Sequence, residues 1–178
     1  MSYIDNVCPP ASEMPAQIAI DGSVIKCDSN ASPCLFVYKT VSEPHIGDLS
    51  YFKVYAGTIK TGMELVNENT GVTEKFNQLF VIEGNKRIPV AELVAGDIGA
   101  TLKLRNTHTN NTLHEKGKQI ELKPIVFPDP VMSIAIANSK RGEEEKLASA
   151  LHQLKEEDPF SASRSIRRIG TDFVTLSR

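Results

Sequence analysis

Eight consecutive residues, Leu49-Ser50-Tyr51-Phe52-Lys53-Val54-Tyr55-Ala56, narrow the possible fold more than any other part of this 178-residue chain. Along a strand their side chains alternate, with Ser50, Phe52, Val54 and Ala56 on one side and Leu49, Tyr51, Lys53 and Tyr55 on the other. Large residues stand on both sides, so the strand must be covered or contacted on two faces. A small β-barrel with an occupied outer wall meets that demand better than a freely solvated sheet. Pro44 and Gly47 mark the turn before the strand, and Gly57 and Gly62 bracket a short loop and strand after it.

The flanking sequence continues the pattern. Cys34 to Lys39 is β-rich, and Thr58-Ile59-Lys60 and Met63-Glu64-Leu65-Val66 follow the main strand. Asn67-Glu68-Asn69-Thr70-Gly71 reads as a hairpin turn, because Asn and Gly tolerate positive φ. Val72 to Ile82 resumes with mixed alternation, Gly84-Asn85-Lys86-Arg87 reads as a second turn, and Ala95-Gly96-Asp97-Ile98 as a third, leading into a strand from Ile98 to Leu104. Short strands with closely spaced turn signals predict an all-β barrel or sandwich. Residues 1–32, punctuated by Pro9-Pro10, Pro15, Gly22 and small polar residues, read as an irregular linker. Two prolines in Phe127-Pro128-Asp129-Pro130-Val131 mark a boundary. Beyond it, Val131 to Ile136 reads as a strand and Gly142 to Glu157 as an amphipathic helix, with Leu147, Leu151 and Leu154 on one face. Asp158-Pro159 stops that helix. The end of the chain reads as two short strands around Arg167 to Thr171.

Several function classes are disfavoured by what the sequence holds. A formal net charge of -2 argues against coating nucleic acid by bulk electrostatics, although a local basic face remains open. The sequence has no apolar run of membrane-spanning length and no signal-peptide pattern. Cys8, Cys27 and Cys34 form no C-x-x-C and read as reduced thiols, while His45, His108, His114 and His152 show no zinc-ligand spacing. No G-x-x-x-x-G-K-[ST] phosphate loop is present. Asn85-Lys86 does not begin a guanine-reading Asn-Lys-x-Asp, since Ile88 stands where Asp is needed. No nucleophile–base set has a recognisable signature, so this chain by itself is expected to catalyse nothing.

The run Pro44-His45-x-Gly47-x-Leu49-Ser50-Tyr51-Phe52-Lys53-Val54-Tyr55-x-Gly57 resembles the second domain of elongation factor G, the translocase GTPase of translation. That family usually has arginine at the position of Lys53. Asn85-Lys86-Arg87, Val94-Ala95-Gly96-Asp97-Ile98 and Thr112-Leu113 continue the resemblance. Thr109-Asn110-Asn111-Thr112-Leu113 stands where the family often has Thr-Gly-Asp-Thr-Leu. Asparagine also tolerates a left-handed turn, so the loop is expected to survive. Phe127-Pro128-Asp129-Pro130-Val131 resembles the junction to the family's third domain, and Glu156-Glu157-Asp158-Pro159 its helix end. Past Phe160 the likeness fades, and the family's Gly-Met-Gly-Glu-Leu-His run is missing.

The resemblance implies a mainly β chain with an α+β part: a translation-factor β-barrel at 33–126, then a partial ferredoxin-like βαββ domain at 129–178. Residues 1–32 would be the linker and a strand leading from a GTPase domain that the chain lacks. GTP and Mg²⁺ would belong to the parent protein, with no cofactor or metal in this piece. The implied partners are the ribosome, through small-subunit rRNA, and the parent's own GTPase domain, in a cytoplasmic, monomeric protein free of membranes. The implied function is part of a translocase, docking on the ribosome and relaying nucleotide state between domains. Two alternatives stay open: a protection- or release-type relative, and a free-standing RNA- or protein-binding barrel.

Two readings compete for the Tyr51 face. Tyr51, Lys53 and Tyr55 set a cation between aromatics, as surfaces that meet RNA do. The plainer reading is a barrel wall packed on a neighbouring domain, with Lys53 snorkelling. The resemblance makes Lys86 and Arg87 the better RNA-contact candidates, with Lys53 a third, and makes Tyr51, Tyr55 and His45 domain-contact candidates. Lys39, Lys60 and the basic run Arg164, Arg167 and Arg168 read as solvated surface.

Overall fold

The computed structural model describes residues 7–43, 47–84, 86–128, 133–136, 144–158, 162–168 and 171–177. The Pro44-His45 turn, Asn85, and the Asp129-Pro130-Val131 part of the expected boundary lie outside the described residues. The chain divides into two compact units, Met1–Ile125 and Val126–Arg178.

The first unit begins with a small ribbon, β1 (Gln17–Ile18) paired antiparallel with β2 (Val24–Ile25). It continues with β3 (Cys34–Glu43), β4 (Gly47–Ala56), β5 (Thr58–Lys60), β6 (Glu64–Asn67), β7 (Thr73–Lys75), β8 (Leu79–Glu83), β9 (Lys86–Val90), β10 (Glu92–Val94), β11 (Ile98–Leu102) and β12 (Thr112–His114). Eight of these strands form one curled half-barrel sheet in the order β7-β6-β12-β3-β4-β11-β8-β9, and β5 pairs with β10 separately. The long β3–β4 hairpin lies at the centre of the sheet. Its alternation, apparent in the sequence, sets which side faces the core.

Leu35, Val37, Phe52, Val54, Leu65, Phe76, Leu79 and Leu113 fill the concave side, and Ile59 and Leu93 from the β5–β10 pair close over it. The Phe76 ring meets Phe52 nearly perpendicular, with centroids 5.8 Å apart, the edge-to-face geometry that the ring quadrupoles favour. At one rim a polar knot holds the 106–111 loop. The fully buried Asn67 amide shares its two N–H groups among Asn106 O at 3.0 Å, Thr107 Oγ1 at 3.1 Å and Asn111 Oδ1 at 3.0 Å. Glu74 Oε1 accepts from the Asn106 N–H at 2.6 Å, so the buried carboxylate is paired with backbone.

Three features depart from the sequence reading. Residues 1–32 hold a paired ribbon, β1 and β2, where a linker with one strand was expected, and Ala19, only 1% exposed, bridges Leu122. Lys86 and Arg87 do not sit in the turn; they open β9, opposite Glu83 and Ile82. Ala56 leaves the Phe52 side. A β-bulge at Tyr55 breaks the alternation, so Ala56 pairs with Cys34 and packs on the convex face with Phe36 and Leu122. By contrast Asn110 does take the left-handed conformation, φ 74°, at the position where the family often has glycine.

The second unit comprises β13 (Ser133–Ile136), α1 (Glu144–Glu157), β14 (Ala162–Arg168) and β15 (Thr171–Ser177). Its strands lie in the order β13-β15-β14, all antiparallel neighbours. A third strand between the first two is the split βαβ arrangement of a ferredoxin-like domain, as expected. On α1, Leu151 is buried, while Leu154 is 41% exposed.

Candidate functional site

The convex side of the sheet, unlike the concave one, is built half from aromatics. Cross-strand partners share a face, so Phe36 and Lys53, Lys39 and Tyr51, and Lys53 and Ile98 all stand on it. A second bulge, at Tyr38 between the pairs Val37–Phe52 and Lys39–Tyr51, puts Tyr38 and Lys39 on the same side in succession. The Tyr38 and Tyr51 rings sit 6.4 Å apart at 47°. Lys53 Nζ lies 5.3 Å from the Tyr55 ring centre, a cation–π contact of about 0.5–1 kcal/mol at a partly exposed site.

Two short segments cover part of this wall. Ile20 N–H donates to Glu121 O at 2.8 Å, and Leu122 N–H donates to Thr112 Oγ1 at 3.0 Å, so the N-terminal ribbon and the strand-like tail after β12 are tied to each other and to the sheet. Beneath them Ala19, Ile25, Cys34, Phe36, Ala56 and Leu122 form a second apolar cluster. Where the cover stops, a groove of about 410 Å³ opens over Phe36, Tyr38, Lys53 and Tyr55, rimmed by Ile18, Ile98, Lys123 and Ile125. A smaller hollow of about 230 Å³ is lined by Lys53, Tyr55, Met14, Ile25 and Cys27. Burial pushes the Tyr38 and Tyr55 phenols above the usual tyrosine range, and burial pushes the Cys34 thiol beneath them up to about 12.

Of the residues singled out in the sequence, the structure brings Tyr51, Lys53 and Tyr55 together on this wall. His45 lies outside the described residues. Lys86 and Arg87 are on β9, the edge strand of the sheet, with β11 and β8 between them and β4. Lys86 is exposed beside Glu83; Arg87 is half-buried on the face of Ile82. Sequence reasoning missed Tyr38, although its spacing from Phe36 already put both on one strand face. Gln17, Ile18, Lys123 and Ile125 carried no signal, since their place depends on a pairing across about a hundred residues.

Elsewhere His114, 2% exposed, sets Nε2 2.7 Å from Glu68 Oε2 and Nδ1 2.8 Å from Glu115 O, pinning the 67–71 turn to β12. Among the described residues no three His, Cys, Asp or Glu cluster as metal ligands, and none of the described helices is long and apolar enough to cross a membrane. With no phosphate loop in the sequence, the residues present do not fit GTP or its Mg²⁺.

Residues 32–116 match the family model for elongation factor G domain 2, and residues 127–164 the model for elongation factor G domain III. A protein called elongation factor G 2 in Syntrophomonas wolfei is 35% identical over 151 residues, covering 85% of this chain and 22% of the relative. Another of that name in Desulfotalea psychrophila is 40% identical over 134 residues, covering 75% of this chain and 19% of the relative. The crystal structure of a Thermus thermophilus protein superposes with a TM-score of 0.70 at 26% identity, over 83% of this chain and 22% of that one. The chain thus spans about a fifth of the length of the curated relatives it matches.

Proposed function

The chain belongs to the elongation factor G family, carrying its second domain and part of its third, and we propose that it is the ribosome-docking portion of a GTP-driven translocase. The observation that carries this reading is that the two models match in the family's order, one on each compact unit. The GTPase domain is absent from these 178 residues, so hydrolysis of GTP with Mg²⁺ belongs to another part of the parent protein. In this reading residues 1–32 lead from that domain, 33–126 form the barrel and 129–178 the start of the third domain, in a cytoplasmic, monomeric factor.

Lys86 and Arg87, on an open sheet edge, meet small-subunit rRNA through its phosphates. Exposure of the Lys86 ammonium supports this role, because a cation in water reaches a phosphate without prior unpacking. Tyr51 and Tyr55, with His45, face the parent's GTPase domain, and the partial exposure of both tyrosines supports that assignment. Lys53, turned onto Tyr55, is the weakest of the three RNA-contact candidates.

Co-sedimentation of the chain with small ribosomal subunits over a salt series tests the docking role. Lys86→Glu with Arg87→Glu is expected to lower binding at least tenfold and to flatten the salt dependence, with the melting curve showing that both proteins fold. Unchanged binding would remove the RNA contact. In the parent protein, single-turnover movement of tRNA and mRNA is the assay for translocation. Subunit release without such movement would place it with the release-type relatives instead.

A further inference from the structure

The geometry points to a small-ligand site in the groove over β3 and β4, one that takes a flat aromatic ring bearing a single carboxylate or phosphate. This goes beyond ribosome docking, does not depend on Lys86 or Arg87, and rests on the groove staying open beside the domain contact assigned to Tyr51 and Tyr55. The groove's volume, about 410 Å³, lies within the range of small-molecule sites, toward the lower end, and suits one or two fused rings. Phe36 and Leu122 make a buried floor, and Tyr38 and Tyr55 stand half-buried at its sides. A flat ring stacks on such walls, whereas a branched aliphatic body leaves their faces unmatched.

Charge selects the head group. Lys53 and Lys123 both line the groove, and no acidic residue does. Among the described residues neither lysine forms an ion pair. Closing the groove with a neutral or cationic ligand would take two ammonium groups partly out of water with no anion to balance them. An anion balances them. The phenols of Tyr38 and Tyr55, which line the same groove, can donate hydrogen bonds to an anionic head group. The rim adds a third indication, since Ile18 and Ile98 are each 56% exposed and Ile125 is 42% exposed around one opening. Those side chains lose water only when something fills the space between them.

The probe is 1-naphthyl phosphate, titrated into the chain with ¹³C-labelled isoleucine methyls, with uncharged 1-naphthol as its partner. Saturable shifts are expected at Ile18, Ile98 and Ile125, while Ile59, sealed in the concave core, stays still and reports that the protein is folded. Lys53→Met should weaken the phosphate about fivefold or more and leave 1-naphthol unchanged. Lys86→Glu should change neither, which separates this site from the docking edge. Shifts that never saturate would overturn the proposal, as would equal binding of the phosphate and 1-naphthol. Displacement of the probe by a short uridine oligonucleotide would also overturn it, reassigning the groove to an RNA strand.

Discussion

On the concave side of the sheet Leu35, Val37, Phe52 and Val54 are sealed completely within one apolar cluster. On the convex side Phe36, Tyr38, Lys53 and Tyr55 belong to the same two strands, yet a ribbon and a tail cover them only in part. The same backbone, with the same alternation, therefore supports one face with no room for change and another with room to spare. Full burial and close packing put the stability on the inside. The outside keeps polar tips, half-wet rings and cations, which cost more to bury and are more useful at a surface that meets something else. Two bulges in one hairpin help to make the faces unequal, each putting two successive residues on the convex side.

The largest effect should come from Phe52→Ala, which removes a fully buried ring from the contact with Phe76 and leaves a cavity. A loss of about 3–5 kcal/mol is expected in urea unfolding. Asn67→Ala, at the polar rim, should cost about 2–3 kcal/mol, because a fully buried amide is lost and buried Thr107 and the partly buried bonds to Asn106 and Asn111 lose their donor together. Alkali probes the layer beneath the convex wall. The Cys34 thiol ionises in the unfolded chain near 9.0 but stays protonated in the folded one up to about 12. The unfolded state therefore sheds a proton first, and stability should fall by about 1.4 kcal/mol per pH unit within that window. Cys34→Ala should reduce the slope in melts taken between pH 9 and 10.5.

Tyr38→Ala on the convex side should cost only about 1–2 kcal/mol, since the residue is already partly in water. A cost matching Phe52→Ala would break the comparison outright. Smallest of all, Lys53→Met should shift stability by no more than about 0.5 kcal/mol, because the apolar stem is retained and the charge is only partly shielded. A measurable stabilisation by that change would sharpen the contrast, showing that the ammonium is kept at this site against the interest of folding.

The centre of the hairpin is legible in the sequence because its information is local. Phe52 and Val54 announce their face by spacing, the Asn67–Gly71 turn by residues that accept positive φ, and Asn110 by doing what a glycine does elsewhere. The side taken by Ala56 is not legible, since one extra residue in a strand leaves no mark on composition and reverses every position beyond it. Nor is the ribbon. Strands of two residues carry no period, and Ala19 finds its partner only at Leu122. The sequence sets Tyr51, Lys53 and Tyr55 on one face of β4, and the structure sets them on the same face. The hollow above it exists only where two distant segments stop short of each other.

That bridge between Ala19 and Leu122 also means that the chain enters and leaves the barrel side by side. A pull along the polypeptide at either side would be carried first by a few hydrogen bonds and the small apolar cluster beneath them, before reaching the eight-stranded sheet. The strap would peel first and the barrel would stay whole, a mechanical fuse set where the two ends of the unit cross.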